Sequence, residues 1–240
     1  MTWLVPFAPV GARPVLVCLP QAGSGCGVFR SWQDVLDDVT VVGVQLPGRE
    51  ARFMDPPPDS FAAAVAEIVA ELVSTVPSGQ SIVLFGHSLG GLLAYEVTRA
   101  LPGTHTPAAL VVAASKPPHL SGRVAGSMGA DDGLEVLAGM VAAKDMDPDV
   151  RELVMEILEQ DVELSASYED PGGAPVPCPL HAWGGEDDEI VTEEHLGGWS
   201  AYASGAFEAR RFPGGHEFCV ESPAAAHAAR ELLSPSRQGV

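Results

Sequence analysis

Positive charge is scarce in this chain: 13 Lys and Arg stand against 32 Asp and Glu, a formal net charge of -19. That balance excludes nucleic acid as a partner, because phosphate backbones are held by basic surfaces. It also means that any acidic partner must meet a local cluster of the few cations. Cysteine is rarer still. Cys18, Cys26, Cys178 and Cys219 show no Cys-x-x-Cys spacing and read as small core residues of a reduced, cytoplasmic protein. No apolar run approaches the ~18 residues that a membrane span needs, so no membrane partner is expected. The opening "MTWLVPFAPVGARP" lacks a basic n-region and is broken by Pro6, Pro9 and Gly11, which predicts no secretory signal. There is no internal repeat, and "DPPPD" is a short stiff turn. Charged residues make up only 19%, too few for a disordered chain, while the 46% hydrophobic fraction is ample for a core. The 240 residues fit one sizeable α/β domain.

What is present alternates. "VLVCLP" (15–20), "VTVVGVQLP" (39–47), "SIVLFG" (81–86), "AALVVAAS" (108–115), "CPLHAWGG" (178–185) and "AFEARRF" (206–212) read as strands, with "LVPF" (4–7) as a candidate edge strand. Helices are expected near 28–37, 60–75, 89–101, 192–203 and 221–233. In the second, Phe61, Val65, Ile68, Val69, Leu72 and Val76 form one apolar face behind an Asp59/Ser60 cap. Such alternation implies a mostly parallel sheet with helices on both faces. The interval 116–177 breaks the pattern. It holds two helical stretches (131–143 and 148–169) and no convincing strand, as expected of a helical lid inserted beside the active-site loops.

"LFGHSLGGLLAYE" (84–96) carries Gly86-x-Ser88-x-Gly90 between an apolar strand and a helix. A serine there sits on a strained elbow with its hydroxyl exposed at the sheet edge. Serine needs a base, and His216 is the suited histidine of the seven. It follows a late strand and the turn "PGG", at the edge where the elbow emerges. The imidazole needs a carboxylate, and "GGEDDEIV" supplies one just past another strand. Gly185, Asp188 and Val191 satisfy Gly-x-x-Asp-x-x-Val; Gly184, Asp187 and Ile190 satisfy it almost as well. Asp188 is the choice, with Asp187 as the alternative. The order Ser88, Asp188, His216 is that of the α/β-hydrolase fold. Two backbone donors should hold the oxyanion: Leu89 N–H, just after the nucleophile, and Ala22 N–H, from the loop "LPQAGSGCG" (19–27). That loop misses Gly-x-Gly-x-x-Gly and has no P-loop Lys, and the acidic run 186–189 reads as a solvated loop, so neither a nucleotide cofactor nor a metal is expected.

The segments "LVCLPQAGSG", "VQLPGREAR", "GHSLGG", "GGEDDEIV" and "GGHEF" together resemble the type II (external, editing) thioesterases of non-ribosomal peptide and polyketide assembly lines, over nearly the whole chain. The resemblance implies a helical lid and hydrolysis of acyl thioesters from phosphopantetheine arms on acyl or peptidyl carrier proteins. Departures are Ala22-Gly23-Ser24-Gly25, where the family commonly has Ala-Gly-Gly, and Glu159-Gln160-Asp161, where it commonly has Arg-Ala-Asp. The first leaves Ala22 in register; the second bears on acyl preference and lid motion. A carboxylesterase, a malonyl-type acyltransferase and a non-catalytic binding module are the rival readings. Because carriers are usually acidic, as the resemblance implies, the cations at the active-site edge are the expected docking contacts. Arg52 and Lys116 are chosen from a group that also holds Arg30, Arg49 and Arg123, with Arg49 alternatively structural and paired with a carboxylate such as Glu50.

Overall fold

The computed structural model describes residues 2–121, 137–142, 145–170 and 172–233. Within them the apolar runs form a seven-stranded sheet: β1 (Leu4–Pro6), β2 (Val15–Leu19), β3 (Thr40–Val44), β4 (Ile82–His87), β5 (Ala109–Ala113), β6 (Leu180–Gly185) and β7 (Phe207–Phe212). Their order is β1-β3-β2-β4-β5-β6-β7. Every neighbouring pair is parallel except β1 with β3. Pro6 is tolerated in β1 because that strand lies at the edge, where a missing N–H leaves no ladder partner wanting. The fold is that of the α/β hydrolases.

Strand periodicity explains the two-sided core. In β2, Val15, Val17 and Leu19 face one apolar layer and Leu16 and Cys18 the other, so a strand buried on both faces reads as a continuous apolar run. Helices α2 (Phe61–Thr75) and α3 (Leu89–Ala100) cover the first layer. Helix α1 (Arg30–Val35), with Trp32, and the C-terminal helices cover the second. The Ser60 hydroxyl caps α2 by accepting from Ala63 N at 3.1 Å, and Phe61, Val65, Ile68 and Leu72 are buried as expected.

The insertion between β5 and β6 contains a helical turn over 137–142 and the long helix α4 (Pro148–Ala166). Asp147 caps α4 and Pro148 opens it, where a missing N–H costs nothing. The remainder of the expected helix 131–143, and with it Arg123, lies outside the described residues. The expected helix 192–203 is α5 (Glu193–Gly198) running on as a 3-10 turn, Trp199–Tyr202. The expected helix 221–233 begins earlier and breaks. It forms α6 (Phe218–Glu221) and α7 (Ala224–Glu231), because Pro223 drives Ser222 into an extended conformation, φ -138° and ψ 141°.

Candidate active site

Strand β4 runs straight into α3, and Ser88 stands at the junction with φ 54° and ψ -116°. A left-handed, non-glycine backbone costs about 1–3 kcal/mol and persists only where its surroundings impose it. Here Ser88 N–H donates to Ala113 O and Gly91 N–H donates to Ser88 O, each at 2.8 Å. The flanking glycines are needed for closeness. A Cβ on Gly86 would lie 2.0 Å from Gly90 O, and one on Gly90 would lie 2.2 Å from Leu19 O. The helix therefore starts hard against two strand ends, with Ser88 partly exposed at the turn. Leu89 is the first residue of α3, so its N–H has no intrahelical acceptor.

His216 and Asp188 come from the loops after β7 and β6. The β7 loop reaches its place by passing over a glycine: a Cβ on Gly185 would sit 2.2 Å from Gly215 O and 2.4 Å from Gly214 O. Gly214 also takes φ 111°, a conformation reserved for glycine. His216 Nδ1 lies 3.0 Å from Asp188 Oδ2, with both side chains buried. The other carboxylate oxygen accepts from Ile190 N at 2.8 Å and Val191 N at 3.0 Å. Burial alone would push the Asp188 carboxyl up, but His216 and the two backbone donors outweigh it and hold the group below the usual range. An ionised Asp188 makes Nδ1 the protonated nitrogen and leaves Nε2 as a lone-pair acceptor. That Nε2 is buried and has no hydrogen-bond partner among the described residues. Asp187 is exposed, and its backbone N–H donates to Gly214 O. Its side chain plays no part in the pair.

His87, inside the elbow, supports the backbone of His216. Its Nε2 lies 2.8 Å from the His216 carbonyl oxygen, and the two rings pack with centroids 5.4 Å apart. Burial first, and then the neighbouring His216, press its pKa down from 6.5 to about 3. A neutral His87 donating from Nε2 therefore fixes the His216 backbone. His105, His181 and His195 hold ordinary structural hydrogen bonds.

The loop after β2 turns tightly, Ser24 N–H donating to Gln21 O at 3.2 Å, with Gly23 at φ 76°. The Ala22 N–H makes no hydrogen bond among the described residues, so both expected oxyanion donors are available. Gln21 Nε2 donates to Glu217 Oε1 at 2.6 Å, tying this loop to the residue after His216. Gly23 N–H donates to Asp161 Oδ2 of α4 at 2.8 Å. Asp161 also receives Arg49 in a two-pronged ion pair, at 2.5 and 2.7 Å. Arg49 is thus structural, but its partner is Asp161 and not Glu50.

The thioesterase domain family matches residues 14–233. The chain belongs to the thioesterase family. It is 30% identical over 89% of its length to thioesterase PikA5 of Streptomyces venezuelae, covering 79% of that protein. Among solved structures it superposes on the type II thioesterase BorB from the borrelidin biosynthetic cluster with a TM-score of 0.82, at 26% identity, covering 97% of this chain and 98% of that one. RedJ, the thioesterase of the prodiginine pathway in Streptomyces coelicolor, gives a TM-score of 0.77 at 31% identity over 94% of each chain.

In this thioesterase a cavity of about 180 Å³ lies between the loop after β2 and the insertion. Ala22 and Gly23 line one side, and Met140, Val154 and Leu158 the other, with Glu217 at the edge. Its largely apolar wall suits an acyl chain. The cations divide unexpectedly. Arg52 is buried: it donates to Asp55 at 2.8 Å and to Gln45 O at 3.1 Å, and its guanidinium lies 4.4 Å from the Trp3 ring centroid. The turn after β3 tucks it inward, so it is no docking residue. Lys116, just past β5, is partly exposed, and Arg30 is exposed over the Phe7 ring.

Proposed function

We propose that this thioesterase hydrolyses acyl groups from the phosphopantetheine arms of acyl or peptidyl carrier proteins in polyketide or non-ribosomal peptide biosynthesis. The observation that carries the reading is the buried Asp188–His216 pair with Nε2 open, together with a serine on a strained elbow at the C-terminal end of the same parallel sheet. Ser88 Oγ attacks the thioester carbonyl as His216 Nε2 takes its proton. The carbonyl oxygen becomes an oxyanion held by the N–H groups of Leu89 and Ala22. As the intermediate collapses, the C–S bond breaks and His216 returns the proton to the departing thiol. Water then attacks the acyl-serine, giving a proton to His216, and the Ser88 Oγ–acyl bond breaks as His216 returns that proton to Oγ, releasing the carboxylic acid and the free serine.

Family membership supports the thioester, since a thiol leaves readily. The names of PikA5, BorB and RedJ support the biosynthetic setting. The insertion 116–177 acts as the lid over the acyl cavity, and Lys116 serves as a docking contact at its base. Four free, buried cysteines fit a reducing, cytoplasmic setting. No helix of the described residues is long and apolar enough to cross a membrane. The test is hydrolysis of a panel of acyl-phosphopantetheinyl carrier proteins beside matched free thioesters and oxyesters, with Ser88→Ala as the inactive control. Faster turnover of carrier-bound thioesters supports the reading. Indifference to the carrier, with preference for oxyesters, overturns it.

A further inference from the structure

A carboxylate stands where helix α4 is otherwise apolar. Ile157, Leu158, Asp161 and Leu164 make up its buried face, and Asp161 is 2% exposed. At positions i, i+1, i+4 and i+7 these residues share one side of a helix. A buried charge persists only when it is paired and its remaining lone pairs are satisfied. Asp161 meets both conditions with partners from two different active-site loops. Arg49, from the loop after β3, supplies the two-pronged guanidinium, and Gly23, from the loop after β2, supplies a backbone N–H. Arg49 extends the network by donating to Ser24 O at 3.3 Å and to Pro47 O at 3.0 Å. Residues on both sides of the Gly23–Ser24 peptide are therefore held, one through its N–H and the next through its carbonyl.

Shape agrees with charge. A Cβ on Gly23 would approach Leu158 Cβ to 3.3 Å, and Gly48, at φ 79°, would approach Gln160 Oε1 to 3.4 Å. One turn of α4 is thus seated on both loops at glycines, in the left-handed conformation that only glycine takes readily. The residue before Gly23 is Ala22, the proposed second oxyanion donor. Donors of this kind act because they are preorganised, and a displacement of about 1 Å can cost on the order of 10²-fold in rate.

We infer that Asp161 and Arg49 are positioning residues that lock the oxyanion loop to the lid helix, so that the hole is complete only while this turn of α4 is docked. The insertion then has two parts with different duties. The Asp161 turn is a fixed wall of the catalytic site, while Met140 and Val154 line the cavity beside it. The inference rests on the proposed oxyanion role of Ala22.

The test separates positioning from stability. Removing one charge leaves the other buried and uncompensated, so Asp161→Leu alone confounds the two. The double variant Arg49→Met/Asp161→Leu removes both charges while retaining bulk. It is expected to melt near the wild type yet to lose on the order of 30- to 100-fold in kcat on a small free thioester, with KM changed less than threefold. A trifluoromethyl ketone, which forms a tetrahedral oxyanion on Ser88, should weaken by the same factor as kcat/KM. Wild-type kcat and inhibitor affinity in a stable double variant would overturn the inference. Should that variant not fold, Asp161→Asn carries the test: at least a tenfold loss in both readouts is expected, and no loss overturns it. If the wild type itself fails to cleave the free thioester, the proposed reaction is what fails.

Discussion

Asp188→Asn is a single-atom exchange whose consequence follows from counting donors. In the wild type one carboxylate oxygen accepts from Ile190 N and Val191 N, and the other from His216 Nδ1–H. Asparagine has one oxygen to offer. Turned toward the loop, it keeps two backbone donors satisfied; turned toward His216, it leaves both unpaired at about 1–3 kcal/mol each. The loop wins, and the NH₂ group faces His216. Nδ1 must then accept, the imidazole proton moves to Nε2, and the nitrogen facing the active site can no longer take the serine's proton. The corresponding change in serine proteases lowers kcat about 10⁴-fold, so a loss of about 10³- to 10⁴-fold is expected here, equivalent to about 4–5.5 kcal/mol. The assay is steady-state hydrolysis of a free acyl thioester, with melting temperature as the control for folding; KM should change little. Asp187→Asn, at an exposed side chain, should stay within about twofold of wild type. Retention of a tenth or more of the activity by Asp188→Asn, or equal damage from Asp187→Asn, would refute the reasoning.

Gly90→Ala puts a Cβ 2.2 Å from the Leu19 carbonyl oxygen, backbone against backbone. It should cost at least the ~1–3 kcal/mol usual for overpacking and lower Tm by several degrees; an unchanged melting curve would show that the elbow has slack. The folded-state pKa of His87 is lowered from 6.5 to about 3, so its contribution to stability is fully present above pH ~6.5 and is lost as pH falls toward 3, at up to about 1.4 kcal/mol per unit. Unfolding free energies from urea titrations at pH 7 and pH 5 should therefore differ by about 2 kcal/mol more in the wild type than in His87→Gln, and equal differences would contradict a neutral, buried imidazole. Lys116→Glu should raise KM for carrier-bound substrate about two- to fivefold at low salt, consistent with a rim contact of about 0.5–1 kcal/mol, and leave the free thioester unaffected; equal effects on both would move docking elsewhere.

What could be read before the structure was whatever the chain encodes within a few neighbouring residues. The strands were legible because a doubly covered sheet needs continuous β-branched runs such as "VLVCL" and "SIVLF". The elbow was legible because strand, glycine, serine, glycine and helix are contiguous. Gly185-x-x-Asp188 and Gly214-Gly215-His216 were legible as loops, though not the fact that they touch, Gly185 leaving room for the backbone that carries the histidine. Spacing favoured Asp188 over Asp187 only narrowly, and what separates them is which side chain the loop buries. The extended Ser222 shows that Pro223 outweighs the apolar pattern around it and breaks the helix.

The arginines mark where local reading fails and why. Arg49, Glu50 and Arg52 are sequence neighbours, so a surface loop with a local ion pair is the simplest expectation. Yet Arg49 reaches α4, Arg52 stacks on Trp3 at the far end of the chain, and Glu50 accepts from Gly27 N. The partners of Arg49 and the ring beneath Arg52 are supplied by the fold, while Arg52 also keeps a local ion pair with Asp55. Asp161 is the same case seen from the helix. In sequence it is one acid among Glu159, Asp161 and Glu163, indistinguishable from a solvated helical face, and only the docking of α4 on two loops separates it from its exposed neighbours. With a net charge of -19, this protein has few cations to spare, and both of those at the "GREAR" turn are already paired with its own carboxylates. The proposed docking of an acidic carrier would draw on cations left outside that network, Lys116 and Arg30 among them, and the salt dependence of carrier turnover is the measure of that encounter.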